Sequence, residues 1–299
     1  MFGEKAPRTT DAMPAALAFA TRIAVFAFVV TSMLGVGLGL SVAQIIQSLH
    51  SKRLLLSALS ANFVLVPTLA YFITRLIPLP QPFAIAILLL GTSAGAPFMP
   101  KLAEFAKANL GFAVGLMVLL MTVTIAYMPI VLPILLPAAH VSRWQIAKPL
   151  LTVLLIPLSV GLLVRARKEA VARFCEPHFR HASTMFLILA ISLAVVANYQ
   201  NVVRNLGFNA ILAGSLLLLA SLGCGFVLGG ASADTRSVVA LGTAQRDISA
   251  ALAVAVANFP DPNVVVMLIL MALLAVCLQI PIAVLMGRHK LALKCEITS

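Results

Sequence analysis

The sequence predicts an all-α polytopic membrane protein with about nine transmembrane helices in two related halves. Three observations predict it: an overwhelmingly apolar composition, apolar runs of membrane-spanning length, and polar interruptions in two of those runs. The chain is 62% hydrophobic and 10% charged, whereas a soluble domain is about 45–50% apolar and about 25% charged. The runs are 18–41, 54–77, 83–107, 110–136, 149–165, 183–200, 208–231, 238–259 and 263–286. Their lengths lie near the ~20 residues that cross a hydrocarbon core. Little chain is left for a soluble module, so the reading is an N-terminal tail at 1–17, one transmembrane domain at 18–286 and a C-terminal tail at 287–299.

The net charge of +12 has its source in topology. An odd number of helices puts the termini on opposite sides. Lys5, Arg8, Arg22, Arg75, Arg143, Lys148 and Arg204 fall on the N-terminal side. The other side collects more, including Lys52, Arg53, Lys107, Arg288, Lys290, Lys294 and the basic stretch 165–181. The excess of Lys and Arg marks the cytoplasmic face. The expectation is therefore an integral protein of the cell (inner) membrane with its N-terminus outside and its C-terminus cytoplasmic. The stretch 165–182 reads as a cytoplasmic loop, and the positive charge calls for no nucleic acid. No cleavage site follows the first apolar run. Cys175, Cys224, Cys277 and Cys295 are scattered without metal-site or disulfide spacing.

The polar segment at 165–182 divides the chain near its middle, and the two sides match. The third run carries Leu90-Gly91-Thr92 and the eighth carries Leu241-Gly242-Thr243, each ahead of a long apolar run. Repeat one would span about 18–136 and repeat two about 183–286, with 149–165 as a linking helix. Five helices separate the equivalents, so the second copy would be inverted in the membrane. Inverted repeats with helices broken by Gly or Pro near the midplane are a transporter architecture, with the substrate and ion sites at the breaks. The third run has Gly91, Gly95, Pro97 and Pro100 within ten residues; the eighth has Gly242 followed by Ala244-Gln245-Arg246-Asp247. Ionisable groups at membrane depth cost about 2.5–3.5 kcal/mol on insertion scales and by default mark a substrate or ion path.

The stretches SANFVLVPTLAYF, GTSAGAPFMPKLAEFAKANLGFAV and GTAQRDISAALAVA are where the chain resembles the bile acid:sodium symporter family, over roughly residues 28–286. The resemblance implies a panel and a core, two unwound helices (83–107 and 238–259) crossing at the centre, and sodium-coupled uptake of organic anions. It also implies sodium ligands. Asn62 keeps the family's amide in the second run. Met99-Pro100 stands where a polar pair would, Ala240 where a glutamate would join both sodium sites, and Ala244 where a glutamine would, with Gln245 next. Residual sodium ligands would be Asn62, Thr122, Thr124 and Gln245.

Removing those oxygens leaves too few for two tight sodium sites, and Arg246 arrives instead, permanently charged with a planar fork of donors. The expectation is that Arg246 replaces the cation and grips an anionic substrate bidentately. Asp247 would be its counter-ion or the group that titrates, and Lys101 a second partner for Asp247. The plainer alternative is a static Arg246–Asp247 salt bridge. Thr92, Ser93 and Thr243 are candidate lining residues. Thr122 and Thr124 are read as bonding their own backbone, Pro129, Pro133 and Pro137 as kinking or ending their helix, and His140 and Trp144 as interfacial anchors.

The reading is a secondary transporter for a small organic anion, with sodium or a proton as candidate coupling ion and no cofactor. A related efflux or metalloid carrier is the alternative; the third run's lack of cysteine argues against the metalloid form. Arg246, Asp247 and Lys101 make no recognisable catalytic set, so an enzyme is not expected.

Overall fold

The computed structural model describes residues 9–40, 52–137, 141–205 and 208–298. Lys5, Arg8, His50 and His140 lie outside these residues, so the anchor expected at His140 is not described. The elements are α1 (Thr9–Gly39), α2 (Lys52–Leu76), α3 (Gln81–Thr92), α4 (Met99–Phe105), α5 (Leu110–Leu135) and α6 (Arg143–Arg167). There follow α7 (Glu169–Asn205), α8 (Phe208–Leu228), α9 (Ala233–Ala244), α10 (Ile248–Asn258) and α11 (Pro262–Thr298). Among the described residues, six helices are long and apolar enough to cross a membrane, and α3 and α10 are shorter apolar helices. Large apolar side chains such as Phe19, Leu76, Leu163 and Val227 face outward, as lipid contact requires. The chain is an integral membrane protein.

The helices form two clusters. In one, α1 lies along α6 and α7. A Cβ on Gly37 would sit 2.4 Å from Leu158 O and 2.9 Å from Gly161 Cα, so only paired glycines allow α1 and α6 to approach this closely. In the other, α3 is enclosed by α2, α5, α10 and α11, while α9 packs on α8, α4, α5 and α11. Between the clusters, α10 meets α1 and α6, and α7 meets α11.

Two helices carry π-helical segments, Ala61–Leu65 in α2 and Leu150–Leu155 in α6. Each is followed by a proline, Pro67 or Pro157. A proline has no N–H and its ring displaces the carbonyl four residues earlier, and single wide turns of this kind recur at functional sites. In α2 the displaced carbonyl is Phe63 O, and the Tyr127 hydroxyl of α5 donates to it.

The two breaks have different causes. α3 ends at Thr92 because Gly95, at φ +90°, and Pro97 prevent helix from continuing. α4 restarts at Met99, just past the proline. α9 runs through Gly242 and ends at Ala244, with no glycine or proline in the gap. The Asp247 carboxylate stops it from the far side, accepting from Ser249 N and Ala250 N as the N-cap of α10.

The stretch 165–182 is not a loop. Only Lys168 departs from helix, and α7 begins at Glu169. Ion pairs one turn apart hold the polar part helical: Glu169 with Arg165 at 3.3 Å and with Arg173 at 2.7 Å, then Glu176 with Arg180. Helix also extends from Thr9 at one end and through Thr298 at the other. Pro129 and Pro133 lie inside α5, and Pro137 lies just beyond its end.

Candidate functional site

The two breaks meet. Ala94 and Arg246 pair as an isolated antiparallel bridge, and Asp247 N donates to Ser93 O at 3.4 Å. α3 and α9 therefore end at one point, each with carbonyls left without intrahelical partners and a partial negative charge.

The Arg246 guanidinium lies between those ends, 3% exposed. Its Nε donates to Leu90 O at 2.9 Å and its Nη2 to Gly91 O at 2.9 Å, which satisfies the end of α3. Its Nη1 donates to Thr243 O at 3.1 Å, at the end of α9, and to Asn62 Oδ1 at 2.9 Å. A buried charge is tolerated only when it is fully hydrogen-bonded or paired. Here the compensation comes from three carbonyl dipoles and an amide. Four of its N–H groups are engaged, out of the five a guanidinium offers. The bidentate grip on a substrate expected of Arg246 is not available in this conformation, because the fork holds the two helix ends.

Asn62 completes the cluster from the π segment of α2. Its Nδ2 donates to Ala58 O at 2.9 Å and to Thr243 Oγ1 at 3.1 Å while its Oδ1 faces the guanidinium. Arginine has no acceptor, so the orientation of this amide is set by its partner. Asn62, Thr243 and Arg246 are thus brought together from three separate runs.

Around them, Ser93 lies at the break and its Oγ donates to Leu90 O at 3.1 Å. Thr92 donates back to Leu88 O at 2.9 Å and braces its own helix. Gln245 and Asp247 are buried at 7% and 0% exposure. Gln245 Oε1 and Asp247 Oδ2 have no hydrogen-bond partner among the described residues.

Other expected placements are not met. Lys101 does not approach Asp247: half-exposed on α4, it pairs with Glu104 at 2.8 Å and lies over the Phe105 ring. A short helix turns its side chain away from the crossing. No Arg246–Asp247 salt bridge forms among the described residues. The neighbouring side chains serve opposite helix ends, Arg246 at the carbonyls of α3 and α9 and Asp247 at the amides of α10. Thr122 is exposed and bonds its own Val118 O, as expected.

Thr124, by contrast, is fully buried and does not bond its own helix. Its Oγ1 accepts from Ala94 N at 2.9 Å and donates to Ala94 O at 3.0 Å, so one hydroxyl satisfies both polar groups of an unwound residue. Thr124→Val should strand both and lower stability by about 1–3 kcal/mol, whereas Thr122→Val should change little. Thermal unfolding of the two variants in detergent checks the pair. Tyr127 went unnoticed in the sequence, yet a signal was there: Pro67 displaces Phe63 O, which then needs a donor from outside α2.

Comparison with known proteins fits this crossing of two interrupted helices. No curated protein matches the chain. The profile described as Sodium Bile acid symporter family matches residues 26–205, more than half of the sequence, and takes in α2, the break of α3 and the threonine of α5 that braces it. A buried crossing of broken helices, in an integral membrane protein with this match, is that of a transporter family. The chain belongs to the sodium bile acid symporter family.

Proposed function

We propose that this protein is a secondary transporter of a small organic anion that works without sodium, with the Arg246 guanidinium standing where a coupling cation would. One observation carries the proposal. Arg246 binds the carbonyl ends of both broken helices and the Asn62 amide, and these are oxygen ligands of the kind a sodium ion takes. A fixed charge at that point does permanently what a bound ion does transiently. It neutralises two helix ends and keeps them together. The absence of a carboxylate at Ala240 supports the same reading, since nothing at that position would offset the charge of a sodium ion added beside the guanidinium.

On this reading the chain crosses the membrane nine times, counting α3–α4 and α9–α10 as one crossing each. Its halves are inverted repeats. The N-terminus faces out and the C-terminus the cytoplasm, in the cell membrane. Transport follows from the broken-helix cluster moving as a body against α1, α6 and α7 while the crossing stays intact. α10 runs from the crossing to the contact with α1 and α6, so it couples the two.

Uptake of labelled organic anions into proteoliposomes tests this. The expected rate is the same with an inward sodium gradient as with potassium in its place, and an acceleration of several-fold by sodium overturns the reading. Should an ion be coupled, Asp247 Oδ2, without a partner among the described residues, favours a proton, which an imposed pH gradient would register.

A further inference from the structure

Away from the crossing, a cavity of about 540 Å³ lies between α1, α6 and the end of α10. Sites for drug-sized ligands fall at about 300–1,000 Å³ and combine apolar walls with few polar groups. This one has both. Val29 of α1 and Ala253 of α10 supply apolar wall, while Gln145, Lys148 and Thr152 form a polar stripe along one face of α6, with Asn258 opposite.

The polar groups are not neutral as to charge. Among the described residues, Lys148 is the one charged residue lining the cavity, and no acid lies within ion-pair distance of it. Gln145 Oε1 already accepts from Ser142 N at 2.8 Å in the capping box that starts α6. What Gln145 has left is its amide N–H groups. Thr152 Oγ1 donates to Lys148 O at 2.8 Å, which sets its hydroxyl against the same turn. The stripe therefore offers unused donors and a single positive charge on one side, facing walls that are apolar except for Asn258.

We propose that this cavity binds the substrate and that Lys148 is the residue that selects it: a monoanion with one carboxylate, held by Lys148 Nζ and the Gln145 amide, and an apolar body against Val29 and Ala253. The inference rests on the transport reading above, and it adds what that reading leaves open, the chemistry of the substrate and where it sits. Arg246 has its fork engaged elsewhere, so the cationic contact to substrate falls to Lys148. A second carboxylate would meet no cation here, which disfavours dianions.

The chain provides its own reporter, because its one tryptophan, Trp144, is adjacent to Gln145 and exposed. Trp144 fluorescence in the purified full-length protein would be titrated with phenylpropionate, its neutral amide phenylpropionamide, and the dianion phenylsuccinate. The wild type should bind phenylpropionate at least about tenfold more tightly than either comparator. Lys148→Gln should weaken phenylpropionate about tenfold, the scale of one charge-assisted hydrogen bond, with the amide unchanged. Lys148→Arg should retain the preference. A wild type that treats acid and amide alike, or binds neither, overturns the proposal, as does a Lys148→Gln variant that binds the acid like the wild type. Binding that behaves as expected in a protein that carries no anion across proteoliposomes would instead count against the transport reading alone.

Discussion

Arg246→Ala abolishes transport and lowers stability by about 4 kcal/mol or more, the largest expected effect of any single substitution. The side chain donates to Leu90 O, Gly91 O, Thr243 O and Asn62 Oδ1, and of these Leu90 O also accepts from Ser93. Leaving a buried polar group without its partner costs about 1–3 kcal/mol. Water entering the vacated space recovers part of that, so the total falls short of four independent losses. Arg246→Lys rescues poorly, because one ammonium cannot reach acceptors on α2, α3 and α9 at once.

Sodium separates a surrogate ion from a mere clamp. A ligand that binds the folded state raises its stability. Millimolar sodium should therefore raise the unfolding temperature of Arg246→Ala, where these oxygens have lost their cationic partner, and leave the wild type unmoved. Thermal unfolding in sodium and in potassium, alongside uptake assays, reads both effects. An alanine variant with wild-type stability and uptake would sink the role given to Arg246. A variant indifferent to sodium would leave Arg246 structural and remove the cation-replacement idea.

Gly95→Ala should be strongly destabilising, second only to Arg246→Ala. Gly95 sits at φ +90°, and a Cβ there would lie 2.2 Å from Met121 N, 2.7 Å from Met117 O and 2.8 Å from Met121 Cα. These are main-chain atoms of α5 and cannot rotate aside. Backbone strain of about 1–3 kcal/mol adds to an overpacking cost of about 1–3 kcal/mol. The unwound residue next to it, Ala94, would also be pushed off Thr124. Gly223→Ala is the control: nothing lies within 4 Å of its Cβ position, and alanine favours helix by about 1 kcal/mol. Membrane expression and thermal unfolding of the two variants should move in opposite directions. A Gly95→Ala protein within about 1 kcal/mol of wild type would mean that the break is not held against α5.

Much of the site was legible in residue order. Apolar run lengths set the helices, Gly95 and Pro97 mark the first break, and the charges at 246 and 247 single out the second. Thr243 and Arg246 were picked out from their types and places and Asn62 through the family resemblance, and the three meet. What was not legible is how side chains divide the partners between them. Thr122 and Thr124 look alike two residues apart, yet helical geometry turns one outward and the other onto Ala94. Arg246 and Asp247 read as an ion pair, but consecutive residues at a helix break point to different ends.

By itself, then, the sequence determined that this is a membrane-embedded helical protein, where two of its helices break, and that charge is buried at one break. Those follow from composition, periodicity and local backbone chemistry, which act over a few residues. Only the tertiary structure decided that the charge holds two helix ends together, that a threonine four helical turns into α5 braces the gap, and that Lys101 stays outside. Leu90 and Arg246 are 156 residues apart in the chain. Which carbonyl meets which donor at that separation depends on how the helices pack, and packing is a property of all of them at once.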